Sequence, residues 1–179
     1  MITSIKCTIK NISIVDKCIV VFLILVFTFN IRIVNVHGDS MNPTLETKDI
    51  MITYKMLFGP QQGDIVVFKK DHQTYVKRLI AIGGQVVMLK PNDDKTYSLY
   101  VDNILLEEEY ITELINSGNI GNMSLQDGVT IPQGHVFVLG DNRNGSLDSR
   151  KQEIGFIETK LILGKVLIRI LPLPRFGKL

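Results

Sequence analysis

Tyr75-Val76-Lys77-Arg78-Leu79-Ile80-Ala81-Ile82-Gly83-Gly84 is the stretch on which the fold turns. Its first eight residues are mostly branched, aromatic or aliphatic, and a glycine pair stops them, which predicts a strand from Tyr75 to Ile82. Val86-Val87-Met88-Leu89 resumes at once and ends at Lys90-Pro91. Upstream, the turn pair Gly63-Asp64 opens Ile65-Val66-Val67-Phe68. Downstream, Ser98-Leu99-Tyr100-Val101, Asp102-Asn103 and Ile104-Leu105-Leu106 read as a hairpin on a tight turn. His135 to Leu139, between Gly134 and Gly140, and Lys165 to Ile170 are further strands. Many short strands parted by Gly, Asp and Asn turns predict a mainly β, mostly antiparallel domain. Glu107 to Asn116 is expected to contain a short helix, with Glu107-Glu108-Glu109 as a solvated face. No internal repeat or low-complexity tract is present.

The N-terminus differs. Cys18 to Phe29 is apolar apart from Thr28. Extended outward through Ile14, Val15, Ile31, Ile33 and Val34, it predicts a transmembrane helix over residues 14–34, a slightly short span. Asp16, Lys17, Asn30 and Arg32 fall near its edges, where long side chains snorkel. A cleavable signal peptide is the rival, but the bulky Asn30 to Val36 offers no small-x-small site. Lys6, Lys10 and Lys17 precede most of the run and only Arg32 closely follows it. The expected order is a cytoplasmic N-terminus at 1–13, an anchor at 14–34 and an extracytoplasmic domain at 35–179. Residues 161–170 are also apolar, but Gly164, Lys165 and Arg169 break them, so no second span is expected there.

Composition narrows the functions. Twenty basic and 18 acidic residues, a net charge of +2 with no separate basic cluster, exclude a nucleic-acid binder. Both cysteines, Cys7 and Cys18, lie before residue 20, so the domain beyond has no internal disulfide and no thiolate metal site. His37, His72 and His135 lack metal-binding spacing, and neither a metal nor another cofactor is expected.

Three segments carry chemistry. Gly38-Asp39-Ser40-Met41-Asn42-Pro43-Thr44-Leu45 follows the apolar run. By itself it is most simply a turn, although Gly38 and Pro43 suit holding a serine beside exposed backbone N–H groups. Lys77 alternates with Tyr75 and Leu79, which suggests a buried face; an edge-strand lysine pointing to water is the plain alternative. Burial disfavours a charged ammonium, and a neutral amine can serve a serine hydroxyl as general base. Gly140-Asp141-Asn142-Arg143-Asn144-Gly145-Ser146-Leu147-Asp148-Ser149-Arg150 is dense in hydrogen-bonding groups. It is either an Asx-rich surface turn or a fixed polar network beside a site.

Together these segments, with Gly63-Asp64-Ile65-Val66-Val67-Phe68 between them, resemble the bacterial type I signal peptidases in order and approximate spacing. The single anchor and small outer domain look like the Gram-positive form. The resemblance implies a membrane-bound serine endopeptidase that removes signal peptides after small-x-small sites. Position by position it implies Ser40 as nucleophile, Lys77 as general base and Ser146 as the hydroxyl that orients the lysine. Asp141, Arg143, Asp148 and Arg150 match the supporting network, and the Ser40 backbone N–H matches the oxyanion donor. Some relatives carry a serine where Gly38 stands here. Weak analogy places Val36, Met41, Leu45, Tyr75 and Val76 in the substrate pockets. The implied partners are signal peptides of pre-proteins, the lipid bilayer, and a secretion translocon or pilus proteins. One block departs from the family: Ala81-Ile82-Gly83-Gly84-Gln85 stands where Gly-x-Pro-Gly-Asp is usual. The competing functions are a specialised pilus-assembly factor, with or without cleavage, a self-cleaving repressor of the related Ser-Lys fold, and a tethered binding module.

Overall fold

Nearly every apolar run read from the sequence becomes a strand. A computed structural model describes residues 13–55 and 59–179, in two compact units, Met1–Ile31 and Arg32–Leu179. Lys6, Lys10 and Cys7, used above for topology and redox class, lie outside the described residues.

The described part of the first unit is mainly α1 (Ile14–Phe29). Its start is capped reciprocally. Ser13 Oγ accepts the Val15 amide at 3.2 Å, and Asp16 Oδ2 accepts the Ser13 amide at 3.2 Å. Ile14, Val15, Ile19, Val20 and Val21 are all at least half exposed. The helix ends at Phe29, and Ile31–Asn35 is strand β1. The expected helical span of 14–34 is therefore too long at its C-terminal end, where β-branched Ile31, Ile33 and Val34 favour the strand. Among the described residues no helix is long and apolar enough to cross a membrane.

The second unit holds two antiparallel sheets. The larger runs β1, β2 (Ile50–Tyr54), β12 (Ile162–Leu171), β3 (Ile65–Lys70), β4 (Gln73–Ile82), β10 (His135–Leu139), β11 (Ile157–Glu158), with β13 (Gly177–Lys178) also on β12. The smaller runs β7 (Ile104–Leu105), β6 (Thr96–Val101), β5 (Val86–Pro91), β9 (Val129–Thr130), with β8 (Ile115–Asn116) also on β6. The β6–β7 hairpin has its two-residue turn: Asp102 and Asn103 both take positive φ, 51° and 64°, as the turn matching strand twist requires. No helix forms over residues 107–116. That stretch is turns ending in β8, and Glu108 is withdrawn from solvent by a partner described below.

β3 shows how the larger sheet is covered on both faces. Ile65 and Val67 pack with Val36, Met41, Leu45 and Met51, whereas Val66 and Phe68 pack with Leu79, Val136 and Val138. A third cluster, including Ile80, Phe137 and Leu139 of the larger sheet with Val87, Leu89 and Leu99 of the smaller, joins the two. Each such side chain removed from water contributes about 1.5–3 kcal/mol. The turn Ala81 to Gln85 is held by the Gln85 side chain. Gln85 Oε1 accepts the Ile82 amide at 3.0 Å and its Nε2 donates to Asp102 at 2.9 Å. Gly84 supplies φ +93°, and a Cβ on Gly83 would meet the Pro132 carbonyl at 2.8 Å.

Candidate active site

β4 is a central strand, and this decides the environment of Lys77. Its first half pairs with β3, Lys77 opposite Val66 and Arg78 opposite Ile65; its second half pairs with β10. By alternation Lys77 shares a face with Tyr75 and Leu79, while Arg78 points to the other. Both are buried, at 3% and 7% exposure. The edge-lysine alternative does not hold, and Arg78 is no surface cation either.

Ser40 sits on the loop after β1, which is pinned from below. Met41 and Leu45 are buried plugs, joined by a Leu45 amide to Met41 carbonyl bond of 2.9 Å. The Val36 amide bonds Asp49 O, and the Lys48 amide bonds Val36 O, both at 2.9 Å. Arg169, on β12, donates to Thr44 O at 2.7 Å and also reaches Asp49. With the loop so held, Lys77 Nζ lies 2.6 Å from Ser40 Oγ. Burial first lowers the Lys77 amine, to about 8. Asp148 and then Asp141 pull it upward, and Arg150 works with burial. The group is thus poised to be neutral in mildly alkaline solution.

The loop 140–150 folds against this pair. Asn142 donates its amide to Ser40 O at 3.1 Å and its Nδ2 to Asp39 O at 3.2 Å, and its Oδ1 accepts the Gly145 amide at 3.0 Å. The Asx turn and the fixed polar network are therefore one object. Asp141 takes Arg78 on both oxygens, at 2.8 and 2.6 Å, and Thr44 Oγ1 donates to it at 2.6 Å. Asp148 takes Arg150 on both oxygens at 2.8 Å and accepts the Gly140 amide at 3.1 Å. Arg143 donates to Gly140 O at 3.0 Å and pairs bidentately with Glu108. Burial weakens the Arg143 charge, but the hydrogen bonds and charge of Glu108 outweigh it and hold the guanidinium above its ordinary value. Each of these three ion pairs has both side chains at or below 9% exposure. Removing one partner from such a pair costs about 3–5 kcal/mol, because a buried charge is left alone.

Ser146 is placed beside the pair but is not bonded to it. Its Oγ is buried without a hydrogen-bond partner. Of the expected pocket residues, Val36, Met41, Tyr75 and Val76 line a cleft of about 490 Å³ that also contains Ser40 and Lys77. Leu45 is not among its walls; it is fully buried in the core. The Gly38 amide is already spent on Thr47 Oγ1, at 3.1 Å. Sequence reading missed Glu108, Tyr110, Thr44 and Arg169. Glu108 lies in a run of three glutamates, and nothing in that run marks its middle member as buried.

Known proteins resemble this chain over most of its length. Residues 9–171 match the family described as "Signal peptidase, peptidase S26". The chain is 37% identical to signal peptidase I of Bacillus caldolyticus over 91% of its length and 90% of the relative's. It is 35% identical to signal peptidase I P of Bacillus subtilis subsp. natto, over 93% of its length and 94% of that protein's. A probable signal peptidase I-1 of Synechocystis is 34% identical, over 95% and 86% of the two chains. The chain belongs to the signal peptidase family, peptidase S26. Its activity is that of signal peptidase I, the removal of signal peptides from secreted pre-proteins.

Proposed function

We propose that cleavage proceeds through Ser40 as nucleophile and neutral Lys77 as general base. The observation that carries this is the 2.6 Å Lys77 Nζ to Ser40 Oγ contact, made by a lysine that is 3% exposed. With the amine neutral, the same contact runs in reverse, the hydroxyl donating to the nitrogen lone pair. Lys77 takes that proton as Ser40 Oγ attacks the scissile carbonyl, then returns it to the leaving amine of the mature protein. The signal peptide remains as an acyl-enzyme until Lys77 takes a proton from a water, which attacks the ester and frees Ser40. The Ser40 amide is the oxyanion donor in this scheme. The Ser146 hydroxyl, buried and unpartnered, turns to hold the amine during the cycle.

The cleft suits a strand-shaped substrate. Residues 73–77 of β4 pair with β3 on one side, while β10 reaches only Arg78 to Ile82. β1 is an edge strand of the same sheet, and residues 34–41 form the opposite wall of the cleft. A signal-peptide C-terminal segment can therefore pair by main chain, with small side chains filling the space beside Val36, Met41 and Tyr75.

The pH dependence of kcat/KM tests the base. Only neutral Lys77 works, so activity falls as pH drops through the folded-state value of about 8. The expected profile loses about tenfold per pH unit below that value. A limb near 10.4, the ordinary lysine value, overturns the assignment.

Signal peptidases are membrane-associated, and α1 is the part of this chain suited to anchor it. Sixteen residues span about 24 Å at 1.5 Å each, against a hydrocarbon core of about 30 Å. A crossing by this helix alone requires a thinned bilayer, with Lys17 snorkelling at its edge. Cells stripped of wall are expected to lose residues 35–179 to added protease; full protection overturns the outward orientation.

A further inference from the structure

We propose that Glu108 and Tyr110 form a clamp, built from the smaller sheet's β7–β8 connection, that positions the Ser40–Lys77 pair through Arg143 and Arg78; this rests on the assignment of that dyad. Three buried guanidiniums surround the site, and the loop 140–150 supplies only two carboxylates, Asp141 and Asp148, to balance them. Glu108 is the third, reaching Arg143 across 35 positions of chain. The Tyr110 hydroxyl donates to Glu108 Oε1 at 2.6 Å. Its ring lies 3.8 Å from the Arg78 guanidinium carbon and 6.0 Å from that of Arg143. Burial, then the neighbouring Glu108 carboxylate, keeps the phenol protonated by raising its pKa well above the usual tyrosine value. It therefore stays a donor and a neutral π face throughout the working range of pH.

What the clamp holds is next to the chemistry. Arg78 follows Lys77 in the strand and fixes Asp141, and Asp141 follows Gly140, which abuts Ser40 O. A ring over Arg78 excludes water and strengthens its pairing with Asp141. Packing alone would ask only for an apolar side chain at 110. A phenol bonded to a carboxylate that already serves Arg143 ties the two guanidiniums together.

The test uses the full chain in detergent with a signal-peptide-bearing precursor. Tyr110→Leu, Tyr110→Phe and Glu108→Gln are compared with Ser40→Ala and Lys77→Ala. Tyr110→Leu is expected to lower kcat about tenfold with KM within about twofold. It should also move the rising limb of the pH profile upward. The charged groups about Lys77 are Asp148, Asp141 and Arg150, and a loosened Arg78 leaves Asp141 less countered. Tyr110→Phe keeps the ring over Arg78 but loses the bond to Glu108, and is expected to fall between wild type and Tyr110→Leu, about threefold down in kcat; full wild-type kcat in Tyr110→Phe overturns the hydroxyl's part in the clamp. Unchanged kcat and limb in Tyr110→Leu, or a change in KM alone, overturns the clamp. Should Tyr110→Leu fail to fold, Glu108→Gln decides: a lower kcat with a shifted limb supports it, wild-type behaviour overturns it. Activity surviving in Lys77→Ala overturns the dyad and the clamp's purpose with it. Wild-type clamp variants beside a dead Lys77→Ala overturn the clamp alone.

Discussion

Replacing Lys77 by alanine or arginine is expected to lower precursor cleavage about a thousandfold or more, and Ser40→Ala at least as much. Arginine is the sharper probe, because it keeps a buried cation yet cannot be deprotonated in a protein. If charge at 77 were what mattered, Lys77→Arg would keep activity. The double variant should be no slower than either single one, since groups acting as a unit are lost as a unit. Folding and catalysis separate at this residue. Its folded pKa is about 8 against an unfolded value near 10.5. Below pH 8 the folded state must carry a poorly solvated ammonium, and that destabilisation disappears as pH rises through 8 toward 10.5. Its size is on the order of 3 kcal/mol, from about 1.4 kcal/mol per pKa unit. Lys77→Met is accordingly expected to raise the melting temperature at pH 7 while abolishing cleavage. A variant of Lys77 that cuts within tenfold of wild type would leave the serine peptidase class standing but remove its base.

The strands were legible where apolar runs met glycine or Asp-Asn turns, because β4, β5, β6, β7 and β10 are each bounded by residues that can take the turn's backbone angles. β1 falls inside the expected helix, since an apolar run at a membrane edge has the same composition in either conformation; its pairing beside β2 settles it. The segments that bring Lys77 to Ser40 are marked by motif, and the burial of Lys77 follows from its alternation with Tyr75 and Leu79. The burial of Arg78 does not follow, because a charged residue next to a buried lysine looks like the one left for water. Its burial depends on Asp141, which lies 63 positions away. Glu108 and Tyr110 were illegible for the same reason. Their partners are set by how the smaller sheet meets the loop 140–150, a tertiary fact with no local periodicity. Arg169 interrupts an apolar run, and it braces the loop that carries Ser40.

Gly140→Ala is expected to cost about a hundredfold in kcat/KM without unfolding the chain, because a displacement on the order of 1 Å at a reacting group is worth that much. An added Cβ would lie 2.2 Å from Ser146 Oγ and 2.4 Å from Ser40 O. The Ser146 hydroxyl can rotate away, although the Ser146 Cβ, 2.5 Å from the added carbon, cannot. The Ser40 carbonyl cannot, since it also accepts the Asn142 amide at 3.1 Å and belongs to a loop held by buried Met41 and Leu45. Something must move, and both candidates are tied to the Ser40–Lys77 contact. Shifting the Ser40 backbone turns Oγ away from Lys77 Nζ and re-aims the Ser40 amide. Shifting Gly140 instead strains its amide bond to Asp148 and its carbonyl bond from Arg143, and so disturbs the charges that set the Lys77 pKa. The two routes differ in readout: the first lowers kcat at every pH, whereas the second also moves the rising limb. Gly118→Ala is the control, as a Cβ there meets nothing within 4 Å. Wild-type kinetics in Gly140→Ala, with an intact melting transition, would show that the loop 140–150 has slack enough to absorb a methyl group and does not fix Ser40.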